Sequence, residues 1–218
     1  MKNARQPSHL VFLGPPASGK GTQGRRLADE LGLAYLSTGG FLREILREGG
    51  EAASQVKPYL DRGHYVPDEI MLPLVRAWMS RHADGWVLDG FPRTLAQAEE
   101  LDALLDPVER RSLRAVCLEV PEAELRKRVA SRVECLDCHW TAGDSEIETC
   151  AKCGGRMAPR ADDDLEKFAR RYEEFRTQAL PAIKFYQESG RALTLDGLSA
   201  PDQVYQDLRS ALDKMTDS

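Results

Sequence analysis

The segment Gly14-Pro15-Pro16-Ala17-Ser18-Gly19-Lys20-Gly21-Thr22 constrains the fold more than any other stretch of this chain. It follows a short apolar run, His9 to Leu13, and leads into a helical pattern from about Gly19 to Leu31. A buried strand, a Gly-rich loop, a Lys and a helix in that order are the context of a phosphate-binding loop. Backbone N–H groups of such a loop, and of the helix N-terminus behind it, point at phosphate oxygens. Lys20 adds a mobile positive charge for the β- and γ-phosphates. The strict pattern puts Ser or Thr directly after the Lys, whereas here Gly21 intervenes before Thr22.

The remaining chain alternates between the two periodicities. Strands are expected at Leu33–Leu36, Gly85–Asp89, Leu113–Val120 and Ala192–Asp196. Helices are expected from Ser37-Thr38-Gly39 through Arg47, over Ala52–Asp61, from Asp68 with Leu72, Val75 and Met79 at helical spacing, over Thr94–Leu105 and over Pro121–Val133. A long helical region follows over Asp162–Ser189, which Pro181 should kink or interrupt, and a last helix over Asp202–Leu212. Alternation of this kind predicts an α/β, three-layer P-loop fold around a central parallel sheet of five strands. Glu134 to Pro159 breaks the rhythm, with turn residues and little helical periodicity, and reads as an inserted mini-domain.

That insertion holds four of the five cysteines, as Cys135-x-x-Cys138 and Cys150-x-x-Cys153 with eleven residues between the pairs. Four thiolates at this spacing match a closed, structural zinc site, which leaves no open position for chemistry. Binding on the order of 10 kcal/mol would fold a loop too small to build its own core. Asp144, Glu146 and Glu148, between the pairs, would repel a nucleic-acid backbone. The net charge of −5 gives no global attraction for nucleic acid either. Cys117, alone in the apolar run Ala115–Val120, reads as a core residue. No stretch is long enough to span a bilayer and Met1–Leu13 does not read as a secretory leader, so a cytoplasmic protein is expected.

The loop and three further stretches carry a resemblance. GPPASGKGTQ (Gly14–Gln23) resembles the P-loop of adenylate kinases. LSTGGFLR (Leu36–Arg43) is similar to that family's monophosphate-site motif, and DGFPRT (Asp89–Thr94) with Gln97 to its most distinctive signature. Arg128, Arg132, Arg160 with Asp162-Asp163, and Arg171 follow in the order and spacing of the family's lid arginines. The resemblance runs from about His9 to Leu212.

It implies reversible phosphoryl transfer from Mg-ATP to AMP, giving two ADP. The two substrates together carry about six negative charges, so convergent cations and Mg²⁺ suit them. On the family pattern, Gly14, Pro15, Ala17, Ser18, Gly19, Lys20, Gly21 and Thr22 would hold ATP, with a distal adenine contact near Ser199. Arg43 and Arg93 would grip the AMP phosphate through their planar forks. Arg128, Arg132, Arg160 and Arg171 would surround the transferring phosphates, Arg160 and Arg171 reaching AMP as well. Asp89 would hold the water shell of Mg²⁺. Thr38 and Gln97 would read adenine in a pocket completed by Gly39, Leu42, Val66 and Gly90. Thr38 is equally placed to cap its helix.

The family also implies an organisation: a core of 1–37, 67–133 and 160–218, an AMP-binding segment of 38–66, and a zinc-bound lid of 134–159 hinged near Val133 and Pro159. A monomer is expected. Three departures stand out. Ala17 occupies a usual Gly position, so a backbone with φ < 0 is expected there. Gly40 stands where STGD would place an Asp, leaving Asp89 as the main acid. His64 stands where a Lys is common and reads as a surface residue. Two alternatives remain open: another nucleoside-monophosphate kinase (UMP or CMP as acceptor, or GTP as donor), and a nucleotide-binding protein without turnover.

Overall fold

Strand β1 (His9–Leu13) is buried along its whole length, as befits the middle of a sheet covered on both faces. The computed structural model describes residues 8–138, 140–143, 145–160 and 163–216. In it, β1 pairs in parallel with β3 (Trp86–Asp89) and β4 (Arg114–Glu119). Outside these lie β2 (Ala34–Ser37) and β8 (Ala192–Asp196), also parallel, giving the order β2-β3-β1-β4-β8. The strand period of two then builds three layers. Leu10, Phe12, Val116 and Leu118 face α1 (Lys20–Leu31) and α10 (Pro201–Thr216) through Leu27, Val204 and Leu208. Val11, Leu13, Ala115 and Cys117 face α5 (Leu95–Leu104) and α9 (Leu180–Glu188) through Leu101, Ala182 and Tyr186. Burial pushes the Cys117 thiol up to about 12, with Glu119 adding to the shift, so it stays a protonated core residue.

Chain order reverses beside β1, so the crevice past the carboxyl ends of β1 and β3 is where such sheets place ligands. Three insertions border it. Helices α2 (Thr38–Glu48) and α3 (Gly50–Arg62) pack on each other after β2. Helix α4 (Asp68–Met79) carries Met71 and Val75 into the same core as β3. After α7 (Glu122–Ser131), β5 (Val133–Cys135), β6 (Thr141–Ala142) and β7 (Met157–Pro159) form an antiparallel sheet of order β6-β5-β7. Its strands, two or three residues long, are too short to show a period in the sequence.

Other differences have local causes. Val133, assigned to the preceding helix, is the first residue of β5 and pairs with Pro159. The short helix α6 (Pro107–Ser112), closed by an Asp106–Glu109 capping box, lay unseen after α5. The long C-terminal region starts at α8 (Leu165–Glu174), capped by Asp164. It runs into a π-helical stretch, Phe175–Ala179, which ends two residues before Pro181. The irregularity at Pro181 is therefore a change of hydrogen-bond register, with Leu180 N–H donating to Phe175 C=O. Asp144 and Asp162 lie outside the described residues.

Candidate active site

The loop after β1 is built on backbone angles that few residues tolerate. Gly14 has φ 141°, and a Cβ there would sit 2.6 Å from the Leu118 carbonyl oxygen. Gly19, the N-cap of α1, has φ 98°. Ala17 has φ 64°, which corrects the expectation of φ < 0. The loop's turn requires the left-handed conformation at position 17 and imposes it on Ala at about 1–2 kcal/mol. The Ala17 methyl recovers part of this by packing on the cluster of Val120, Leu125, Val129 and Phe168.

Lys20 leans back over this loop, donating to the carbonyls of Gly14 (2.9 Å) and Pro15 (2.7 Å) and to Ser18 Oγ (3.4 Å). Its burial lowers the ammonium pKa to about 8; Asp89 opposes that shift and Arg93, Arg132 and Arg171 reinforce it. Lys20 thus sits in a positive field that an anion would relieve.

A cleft of about 1460 Å³ opens past the loop, well beyond the ~300–1,000 Å³ of a single-ligand pocket. One wall is the loop itself, from Gly14 through Ser18, Lys20 and Thr22. The opposite wall is α2, with Gly39, Leu42 and Arg43. Asp89, Gly90 and Arg93 form the floor, and Arg128, Arg132, Arg160 and Arg171 line the lid side. Ser199 lines the outer end, where Arg128 Nη2 donates to the Gly197 carbonyl (2.8 Å). The lid reaches across, with Lys152 Nζ 3.6 Å from Asp29 Oδ2 on α1.

Four of the residues selected for nucleotide binding do not line this cleft. Pro15 is buried and faces a smaller cavity behind the loop, so only its carbonyl takes part, through Lys20. Thr38, Val66 and Gln97 are buried behind the wall. Thr38 is not the cap of α2; Ser37 is, accepting from Gly40 N–H. The Thr38 hydroxyl instead bonds the carbonyls of Asp89 and Gly90 at 3.1 Å and accepts from Arg93 Nη2 at 3.3 Å. It pins the turn after β3, where Gly90 has φ 78° and a Cβ would lie 2.9 Å from both Thr38 Oγ1 and Arg93 Nη2. Gln97 donates from Nε2 to Asp68 Oδ1 (2.5 Å) and accepts at Oε1 from Arg93 N–H (2.7 Å).

Among the described residues, Glu134 and Asp163 hold Arg43, Arg132, Arg160 and Arg171, and the sequence assigns neither acid a role. Glu134, with a side chain 9% exposed, lies 3.2 Å from Arg43 Nη2 and 3.1 Å from Arg160 Nε. Asp163, 3% exposed, takes the fork of Arg132, with Nε at 2.6 Å from Oδ2 and Nη2 on Oδ1. Arg160 and Arg171 stand 3.9 Å from the same carboxylate. Glu134 stands beside Cys135, so its position hid it within the metal-site pattern. A lone acid between Val133 and a cysteine, on a strand, was the available signal.

Asp89 ends β3 and accepts from the Tyr35 hydroxyl at 2.9 Å. Burial, and then the Asp89 charge, raise the Tyr35 pKa well above its ordinary value, so Tyr35 remains a donor. Asp89 and Thr22 both line the cleft and offer hard oxygen ligands suited to Mg²⁺. A Cβ at Gly40 would be 3.9 Å from Arg43 Nη2, whose guanidinium Glu134 holds. His64 is exposed, as a surface residue, and pairs with Glu174 at 2.7 Å.

In the lid, the four sulfurs of Cys135, Cys138, Cys150 and Cys153 lie within 4.8 Å of one another. Cys135–Cys153 and Cys138–Cys150 are separated by 3.5 and 3.6 Å. A tetrahedron with metal–sulfur bonds of about 2.3 Å has edges of about 3.8 Å. The cluster can hold a metal ion and contains no disulfide. No helix among the described residues is long and apolar enough to cross a membrane.

A family model described as adenylate kinase matches residues 12–191. The chain is similar to the adenylate kinase of Archaeoglobus fulgidus, 36% identical over 95% of this chain and 99% of that one. It is 40% identical to the adenylate kinase of Thermus thermophilus over 93% of this chain and 96% of that one. For the adenylate kinase of Methanosarcina acetivorans the figures are 37%, 94% and 99%.

Proposed function

The chain belongs to the adenylate kinase family and is a phosphotransferase, ATP and AMP giving two ADP, and we propose that this cleft performs the transfer with the residues that line it. One observation carries the assignment of the site. A chain of net charge −5 turns Lys20 and six arginines (43, 93, 128, 132, 160 and 171) into one cleft with room for two nucleotides. In-line transfer needs little covalent help; it needs two polyanions aligned, neutralised and kept from water.

The loop N–H groups and Lys20 take the ATP phosphates, and Ser199 borders the donor base. Arg43 and Arg93 take the AMP phosphate. Arg128, Arg132, Arg160 and Arg171 surround the group in transit. AMP displaces Glu134 from Arg43 and Arg160, so the clamp exists in shape before substrate arrives. Asp89 and Thr22 would hold Mg²⁺ or its waters, and the ion would supply neutralising charge to the phosphates. Thr38 supports the floor of the acceptor site, and Gln97, with Gly39, Leu42, Val66 and Gly90, forms the adenine pocket.

Zinc is the metal we assign to the four thiolates, because four soft ligands at near-tetrahedral separations suit it. The segments 38–66 and 134–159 close on a core of 1–37, 67–133 and 160–218. The Lys152–Asp29 contact supports lid closure over α1. Because Val133 and Pro159 are paired within the lid sheet, the bend falls outside them, at Arg132 and Arg160. A cytoplasmic monomer fits a site complete within one chain and five free cysteines.

The test is ADP formation from Mg-ATP against AMP, UMP, CMP and GMP. Preference for AMP is expected. Preference for a pyrimidine monophosphate would overturn the acceptor assignment, and ATP binding without turnover on any acceptor would sink the catalytic one.

A further inference from the structure

Asp68, the first residue of α4, had no role in the sequence beyond opening a helix. Its carboxylate accepts Gln97 Nε2–H at 2.5 Å on one oxygen and the Thr94 hydroxyl at 2.9 Å on the other. Thr94 Oγ1 in turn accepts Gln97 N–H at 3.0 Å and caps α5. From the other side, Arg93 N–H donates to Gln97 Oε1 at 2.7 Å. We propose that Asp68 is a positioning residue that fixes the polarity of the Gln97 amide, and thereby selects 6-amino over 6-oxo purine monophosphates in the acceptor site. The inference rests on the reading of Gln97 as the contact to the acceptor base.

A primary amide is nearly symmetric in shape, and turning it over exchanges acceptor for donor. Both partners of Gln97 forbid that exchange. Both Asp68 carboxylate oxygens accept, from Thr94 and from Gln97, so the NH₂ faces Asp68. A backbone N–H only donates, so the carbonyl must face Arg93. The amide is 3% exposed, so water does not compete for either bond. Each partner uses half of the capacity it meets, leaving one N–H and one oxygen lone pair.

That remaining pair matches the edge of adenine, which offers the N6 amino group as donor and N1 as acceptor. A 6-oxo purine offers O6 as acceptor and N1–H as donor, and would need the amide reversed. Gln97 lies directly behind Arg93, which lines the cleft and stacks over the Tyr65 ring at 4.5 Å. The locked amide is thus one residue removed from the acceptor wall, and a base inserted past that wall meets it in a single orientation.

The test compares kcat/KM for AMP and inosine 5′-monophosphate, with saturating Mg-ATP, in the unmodified protein and in Asp68→Asn, Asp68→Ala and Gln97→Ala. Asn keeps the shape but accepts either orientation of its neighbour; Ala removes the partner altogether. Both Asp68 variants are expected to lower the AMP-over-IMP ratio by about fivefold or more, with the KM for ATP unchanged. Equal loss on AMP and IMP, at constant ratio, would show Asp68 to be structural and overturn the inference. A ratio unaffected by Gln97→Ala would overturn the reading of Gln97 beneath it. A ratio that collapses in Gln97→Ala but survives both Asp68 substitutions refutes the inference alone.

Discussion

Replacing Asp163 by Asn should destabilise the free protein strongly and the nucleotide-loaded protein much less. Asp163 is 3% exposed and faces Arg132, Arg160 and Arg171, whose side chains are 17%, 13% and 16% exposed. Asn removes the charge and sets an NH₂ against guanidinium donors. Breaking a buried pair by losing one partner costs about 3–5 kcal/mol. The arginines border a water-filled cleft, and screening there lowers the figure to about 2–3 kcal/mol. For a chain of this size that corresponds to a Tm lower by about 4–12 °C. Polyphosphate restores negative charge to the same three cations, so saturating Mg-ADP should narrow the gap between Asp163→Asn and the unmodified protein. The assay is a thermal melt of both proteins with and without Mg-ADP. A free-state Tm within about 1 °C of the unmodified protein would refute the argument that Asp163 balances buried charge. An unchanged gap in Mg-ADP would refute the claim that these arginines face the phosphates.

Other consequences follow from the phosphate loop and the lid. Ala17→Gly should raise stability by about 0.5–1 kcal/mol, the relief of a left-handed Ala less the extra freedom of Gly in the unfolded chain; a lowered urea midpoint would contradict it. Lys20 has a folded pKa of about 8, below its ordinary value of 10.5. The unfolded state therefore binds more protons between those values, and stability should rise with pH across that window. Lys20→Met should lack this component, and parallel urea-unfolding profiles for the two proteins would reject the assignment. ATP affinity should fall over the same range as the ammonium loses its proton. Removing the lid metal with a chelator should lower the Tm and open residues 134–159 to protease, and a lid that stayed resistant would show that the metal does not hold it.

The arrangement of local chemistry could be read from the sequence, because it depends on neighbours along the chain. A strand, glycines, a Lys and a helix in series generate the phosphate loop wherever they occur. Two CxxC pairs eleven residues apart bring four sulfurs within reach of one ion. Near-continuous apolar runs at His9–Leu13 and Ala115–Val120 demand a sheet covered on both faces. The conformation of Ala17 escaped this reasoning because the loop as a whole, packed against β4 and α7, decides φ at that point, and intrinsic preference favoured the other sign. The partners of the charged and amide groups escaped it for a different reason. Glu134 meets Arg43 across 91 positions, Asp163 meets Arg132 across 31, and Asp68 meets Gln97 across 29. Those meetings follow from the strand order β2-β3-β1-β4-β8, which sets α2, α4, α5 and the lid around one crevice. Sequence determined which groups this protein owns and the local backbone that presents them; only the tertiary structure decided which acid neutralises which arginine, because burial and proximity, not residue type, set the strength of a charge pair.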